Sequence, residues 1–171
     1  KNTASEVFIA NYNDIDSVKN IFDRFGNDIA CVIVEPVAGN MGLIRPLKKF
    51  LEELRVITNK YSSLLIFDEV INGFRLGPTT YGSICGVKPD ITTFGKIIGG
   101  GLPIGAIGGT KPVMEYLAPV GPVYQSGTLC GNPMAISAGM KTVEILINES
   151  PYEKMNEYGK KISSEINDSS E

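Results

Sequence analysis

The sequence predicts an α/β fold built on a mostly parallel sheet with helices on both faces. Three observations carry that expectation. Short apolar runs rich in β-branched residues alternate along the chain with segments of helical apolar spacing. Two of the runs, IACVIVEP and SLLIFDEV, are almost continuously apolar, the pattern of strands covered on both faces. A polar residue closes each of three runs, Glu35 after VIV, Asp68 after LLIF and Lys96 after TTFG, at the carboxyl ends where such sheets bind ligands.

Taken in order, EVFIANYND (6–14) reads as a strand running into a turn. Asp14 is a suitable N-cap for a helix that carries Val18, Ile21, Phe22 and Phe25 on one face and stops at Gly26. IACVIVEP (29–36) follows as a strand. PLKKFLEELRVITNKY (46–61) is a helix with Pro46 near its start and Phe50, Leu51, Leu54 and Ile57 as its apolar stripe. SLLIFDEV (63–70) and PDITTFGK (89–96) are the next two strands, and IGAIGG (104–109) a short fourth one. A short helix around PVMEYLA, the loop PVGPVYQSGTLCGNP and the helix PMAISAGMKTVEILIN (133–148) complete the unit, with Asn132 as that helix's cap. The tail PYEKMNEYGKKISSEINDSSE begins as an amphipathic helix and ends polar.

Composition excludes more than it assigns. A chain of 171 residues suits one good-sized domain, at about 150 residues for each. Its 43% hydrophobic and 20% charged content is that of a globular protein. A net charge of -3, with scattered lysines, offers no footprint for nucleic acid or an anionic membrane. No apolar run nears the roughly 20 residues that span a bilayer. Three widely spaced cysteines, Cys31, Cys85 and Cys130, argue against a disulfide framework. The absence of histidine and of any C-x-x-C argues against a zinc site, so no metal is expected and the chain reads as reduced and cytosolic. A first residue of Lys rather than Met points to a start that is cut or processed.

Lys96 sits between a strand and three consecutive glycines. A phosphate-binding P-loop would need Gly at 90 and Ser or Thr at 97, where Asp90 and Ile97 stand. A dinucleotide fingerprint from Gly99 would need Gly at 104, where Ile104 stands. A solvated strand-end lysine is the plain alternative. The chemical reading is that Phe94, Gly95, Ile97 and Ile98 form an apolar collar that excludes water from the amine and favours its neutral form, the form that attacks a carbonyl carbon. Asp68 is either a solvated carboxylate or cap, or the partner of a cationic ring nitrogen. Val70 is either a buried strand residue or an apolar face for that ring. Ser126, Gly127 and Thr128 precede a helix and offer hydroxyls and free N–H groups to a phosphate, or merely an ordinary helix start. Lysine for an aldehyde and carboxylate for a ring nitrogen are together what pyridoxal phosphate requires.

The stretches LLIFDEVINGFR, GVKPDITTFGKIIGGGLPIGAIGG and GPVYQSGTLCGNPMAISAGMKTVEIL resemble the class III pyridoxal-phosphate aminotransferases over about residues 29 to 146. The resemblance implies that residues 1–150 are the central part of a fold-type I, cofactor-binding large domain. Residues 151–171 then lead toward a C-terminal small domain. It implies Lys96 as the lysine that carries pyridoxal or pyridoxamine 5'-phosphate, Asp68 for the pyridine nitrogen and Val70 against the ring. Gly127 and Thr128 would take the phosphate in the neighbouring subunit of a homodimer. VEPVAGNMG places Asn40 where ornithine- and GABA-type members usually carry Glu, which resembles the aminomutase branch, with the amide near the cofactor's phenolic oxygen. That branch moves an amino group within one small substrate, so an isomerase is expected. The alternatives are an aminotransferase acting on an ω-amino acid or amino ketone, and a non-catalytic assembly fragment. Glu35 is expected to be structural.

Overall fold

The structure, a computed structural model, describes residues 6–47 and 49–168. Its elements run α1 (Ile15–Phe25), β1 (Cys31–Val34), α2 (Phe50–Lys60), β2 (Leu64–Asp68), α3 (Tyr81–Cys85), β3 (Ile91–Phe94), β4 (Ala106–Gly109), α4 (Lys111–Met114), α5 (Pro133–Asn148) and α6 (Tyr152–Asp168). The four strands form one sheet in the order β1-β2-β3-β4. The first three are mutually parallel and β4 returns antiparallel to β3. The α/β class and the mostly parallel sheet are as expected.

Local chemistry sets the elements. Asp14 Oδ1 accepts from the Ser17 N–H at 3.1 Å and starts α1, whose Val18 and Phe22 are buried. In α2 the whole expected stripe of Phe50, Leu51, Leu54 and Ile57 is buried. That helix begins later than Pro46, because Asn13 holds the preceding arm extended. Its Oδ1 accepts from the Leu47 N–H at 2.8 Å, and its Nδ2 donates to the Arg45 carbonyl at 2.9 Å. Leu65 and Phe67 of β2 point into the same core and are fully buried. Side chains of this size contribute roughly 1.5–3 kcal/mol each when removed from water. Arg55 of α2 ties the layers together through Asp90 Oδ2 at 2.7 Å, the same oxygen that accepts from the Leu65 N–H at 2.7 Å.

Register divides the sheet into two unlike faces. Val34 pairs with Phe67, Phe67 with Thr92, and Phe94 with Ala106, so these side chains share one face. That face carries α1 and α2 over β1 and β2, and α5 beside Phe94 and Ala106 through Ile136, Gly139 and Met140. The other face presents Ile33, Ile66, Asp68, Thr93 and Ile107. α4 reaches this face, where Met114 Sδ packs beside Gly109. Helices do flank both faces, but very unequally.

Three local expectations are corrected. Residues 7–11 form no strand: Ile9 is 90% exposed, and the Phe8 ring stacks on Phe25 at 4.6 Å instead. An apolar run makes a strand only where a neighbouring strand takes up the backbone hydrogen bonds. β1 is covered on one face rather than two, with Ile33 63% exposed at the sheet edge. Finally, α3 arises where no helix is expected, capped by Thr80, whose Oγ1 accepts from the Ser83 N–H at 3.1 Å. The expected polar end of the tail, residues 169–171, lies outside the described residues.

Candidate active site

The carboxyl ends of β2 and β3 lie side by side, with Asp68 opposite Thr93 in register. Side chains alternate along a strand, so Asp68 and Glu69 part company there. Asp68 faces the open side of the sheet, half-buried. Its Oδ1 accepts from the Val70 N–H at 3.1 Å and from the Thr93 hydroxyl at 3.3 Å. Both bonds fall on Oδ1, and Oδ2 has no hydrogen-bond partner among the described residues. Glu69 turns the other way into the core, where it is 1% exposed.

Beyond β3 the chain passes through Gly95 and enters a 3-10 turn, Lys96–Gly99. Gly95 is buried against Val70, so close that a Cβ there would lie 3.2 Å from Val70 Cγ1 and 3.7 Å from the Ile104 carbonyl oxygen. Lys96 has a φ of 47°, a left-handed conformation that costs a non-glycine residue energy and is held only where its surroundings over-determine it. Ile98 and Gly99 are buried, and α5 lies against the turn through Gly139, where a Cβ would come 2.5 Å from the Ile98 carbonyl oxygen.

The expected collar does not enclose the lysine. Gly95 and Ile98 turn inward, Phe94 and Ile97 are half-buried, and Lys96 is exposed. The left-handed residue reverses the chain direction, so its apolar sequence neighbours point into the protein while its own side chain points out. Apolar neighbours in sequence therefore do not exclude water from the amine in this chain.

Asn40 occupies an exposed turn after β1, closed by paired hydrogen bonds of 3.0 Å between Ala38 and Ile44. This turn abuts the segment after β2. The Asn72 amide donates to the Val37 carbonyl at 3.1 Å, and a Cβ at Gly39 would meet Ile71 Cδ1 at 2.6 Å. Glu35 Oε2 accepts from the Gly39 N–H at 3.0 Å and holds the turn, the structural part expected of it. The ends of β1, β2 and β3 thus bring Asn40, Asp68, Val70 and Lys96 onto one rim.

Gly127 and Thr128 are not gathered there. Both are exposed in the loop before α5, and Cys130 Sγ is the one neighbour within 4 Å of a Cβ at Gly127. Asn132 caps α5 as expected, its Oδ1 accepting from the Met134 and Ala135 N–H groups at 3.0 and 3.3 Å.

Two residues that support this rim carry no role in the sequence expectations. Thr93 holds Asp68 across the sheet. Glu69 accepts from the Tyr81 N–H at 2.6 Å and the Gly82 N–H at 3.1 Å at the start of α3. Burial pushes the Glu69 carboxyl above the ordinary glutamate range, and the two N–H groups pull it partly back. The signal was present in the DE pair itself: of two consecutive carboxylates at a strand end, one must face the covered side.

Comparison with known proteins places this arrangement. The family model for aminotransferase class-III matches residues 4–171. A glutamate-1-semialdehyde 2,1-aminomutase of Thermosipho africanus is 59% identical over 157 residues, covering 91% of this chain and 37% of that protein. Glutamate-1-semialdehyde 2,1-aminomutase 1 of Macrococcus caseolyticus is 53% identical over 168 residues, covering 98% of this chain and 39% of its own. The chain therefore spans well under half the length of the curated relatives it matches. An omega-transaminase from Sphaerobacter thermophilus superimposes with a TM-score of 0.74 at 38% identity, over 79% of this chain and 31% of that one. A family match that runs from residue 4 to residue 171 means that this chain belongs to the class III aminotransferases.

Proposed function

We propose that this chain carries the cofactor-binding centre of a pyridoxal-phosphate-dependent aminomutase. The reaction is the conversion of glutamate 1-semialdehyde to 5-aminolevulinate, a feed to tetrapyrrole synthesis. The single observation that carries the reading is the rim at the ends of β2 and β3: an exposed amine on Lys96, a carboxylate oxygen of Asp68 left open, and Val70 packed on Gly95 beside them. An aldehyde, a basic ring nitrogen and a flat apolar ring are what these three groups suit, so the residues present fit the cofactor.

In this reading Lys96 Nζ would hold the cofactor's carbonyl carbon, Asp68 Oδ2 would accept a hydrogen bond from its protonated ring nitrogen, and Val70 would lie against the ring. When bound, pyridoxal phosphate supplies an electron-withdrawing ring that eases removal of a proton from the neighbouring carbon. Once released from the carbonyl carbon, Lys96 Nζ, at the exposed end of the turn, would be the group placed to remove and return that proton. A carboxylate beside it favours a protonated ring nitrogen, and Thr93 and the Val70 N–H hold the Asp68 side chain in direction. Asn40 brings an uncharged amide to the rim, where Glu would bring a charge able to repel a substrate carboxylate.

Gly127 and Thr128 serve the phosphate of the neighbouring subunit in a homodimer. Their exposed loop supports this, as do Tyr116, Val120, Tyr124 and Leu129 around it, all large and all exposed. The 53–59% identity to aminomutases, against 38% to the omega-transaminase, favours the mutase over a two-substrate aminotransferase. No helix among the described residues is long and apolar enough to cross a membrane.

The test adds pyridoxal phosphate to the chain, records the visible absorbance, reduces with borohydride and maps the adduct by peptide mass spectrometry. One adduct on Lys96, absent in Lys96→Ala, is expected, and labels scattered over many lysines would refute the site. In the full-length protein, 5-aminolevulinate should form from glutamate 1-semialdehyde without a second amino acceptor. Dependence on an acceptor would instead support the aminotransferase reading.

A further inference from the structure

Glu69 is the most deeply buried carboxylate among the described residues, and nothing in the proposed chemistry uses it. Of its four polar contacts, three fall on the stretch just downstream and one on the neighbouring strand. The backbone N–H donates to the Thr93 carbonyl at 3.0 Å, extending the β2–β3 pairing one residue past Asp68. The carbonyl accepts from the Gly73 N–H at 2.8 Å, closing the first turn after the strand. The two carboxylate oxygens take the Tyr81 and Gly82 N–H groups, one each, at 2.6 and 3.1 Å. The excursion from Val70 to Thr80 therefore leaves and returns at a single residue.

Val70 is the first residue of that excursion, and its N–H is one of the two donors that aim Asp68. The Val70 side chain is also the contact that Gly95, just before Lys96, rests on. Space around the clamp is tight: a Cβ at Gly82 would lie 2.9 Å from the Val87 carbonyl oxygen, and one at Gly73 would lie 2.8 Å from Phe94 Cδ1. The loop cannot shift without repacking the sheet face beneath it. We infer that Glu69 is a positioning residue, whose buried carboxylate locks the return of the loop and thereby fixes Val70 and the direction of the Asp68 carboxylate. The inference rests on the proposed role of Asp68 toward the ring nitrogen, and its structural half can be read without cofactor.

The experiment is amide hydrogen exchange on the unliganded chain, comparing the starting protein with Glu69→Gln and Thr93→Val. Glu69→Gln keeps the shape but loses the charge and one acceptor. Loss of a charge-assisted hydrogen bond corresponds to roughly tenfold faster exchange. That acceleration is expected at Tyr81 and Gly82 and, the decisive point, at Val70. Thr93→Val removes the other donor to Asp68 and should loosen Val70 while leaving Tyr81 and Gly82 protected. Faster exchange at Tyr81 and Gly82 with Val70 unchanged would overturn the inference, since Glu69 would then cap α3 and nothing more. If Glu69→Gln does not fold, Glu69→Asp, which shortens the reach while keeping the charge, must give the same paired acceleration; Val70 unchanged there overturns the inference equally.

The cofactor arm separates the two ideas. If the starting protein forms the Lys96 adduct, Glu69→Gln should bind pyridoxal phosphate about tenfold more weakly, the scale at which outer supporting partners act. Equal binding would overturn the positioning role. If the starting protein forms no specific adduct, the proposed function fails, and the exchange comparison still decides whether the clamp reaches Asp68.

Discussion

Replacing Lys96 by Ala and, separately, by Gly isolates the backbone strain at the centre of the proposed site. Both substitutions remove the amine and the long side chain, so what they share cancels in the comparison. What differs is the Cβ, at a residue whose φ is 47°. Holding an L-residue in that conformation costs roughly 1–2 kcal/mol. Glycine escapes the cost but gains conformational freedom in the unfolded chain, which offsets roughly 0.4–1 kcal/mol. Lys96→Gly should therefore be more stable than Lys96→Ala by about 1 kcal/mol. For a chain of this length that difference moves the thermal midpoint by about 2–4 °C. Urea unfolding of the two variants side by side, without cofactor, reads it directly. As a check on scale, Gly86 at φ 76° caps α3 in open space, so Gly86→Ala should show the same penalty with the opposite starting residue. If Lys96→Ala proved equal to or more stable than Lys96→Gly, the left-handed turn would not be held in the unliganded chain. The account of why the lysine points outward would then fall.

Other outcomes follow from single contacts. Gly139→Ala pushes a methyl into the Ile98 carbonyl oxygen and should cost about 1–3 kcal/mol, whereas Gly159→Ala, inside α6 with nothing within 4 Å, should stabilise by about 0.5–1 kcal/mol; urea midpoints check both. Asp90→Asn weakens the bonds to Arg55 and to the Leu65 N–H together and should cost about 2 kcal/mol by the same measurement. Burial raises the Glu69 carboxyl above its ordinary 4.5, so the folded state binds that proton more tightly than the unfolded one. Its contribution to stability is fully present below that value and declines as pH rises through the raised one. The stability of the starting protein relative to Glu69→Gln should accordingly fall with rising pH above 4.5, and a flat difference would refute the shift.

Much of this architecture could be read from the chain because its causes are local. The boundaries of α5 follow from Asn132 and Pro133, and the stripe of α2 from spacing alone. The ends of β2 and β3 were marked by the polar residues that close them. What could not be read depends on contacts distant in sequence. The helix α3 is five residues long with no stripe, and its N-terminus is held by Glu69, twelve residues upstream of Tyr81. The apolar run at 7–9 reads like a strand, yet the described residues form none there. Around Lys96 the sequence indicated the company but not the direction, because one positive φ separates what points in from what points out. Gly127 and Thr128 lie apart from the rim, in the exposed loop before α5, and no local pattern in the sequence encodes that separation.

The antiparallel return of β4 has a consequence for how this region can change. Because β4 runs back along β3, the stretch from Gly95 to Gly105 begins and finishes at the same edge of the sheet, with Phe94 paired to Ala106. It is a closed ring resting on α5, and its circumference is fixed by the two strands that anchor it. A residue added or removed anywhere in the ring cannot be absorbed by sliding β4, because a one-residue slip would turn Ile107 from one side of the sheet to the other. The ring must instead rotate, and Lys96 would rotate with it. Length in this loop is thus a gauge that sets the bearing of the lysine.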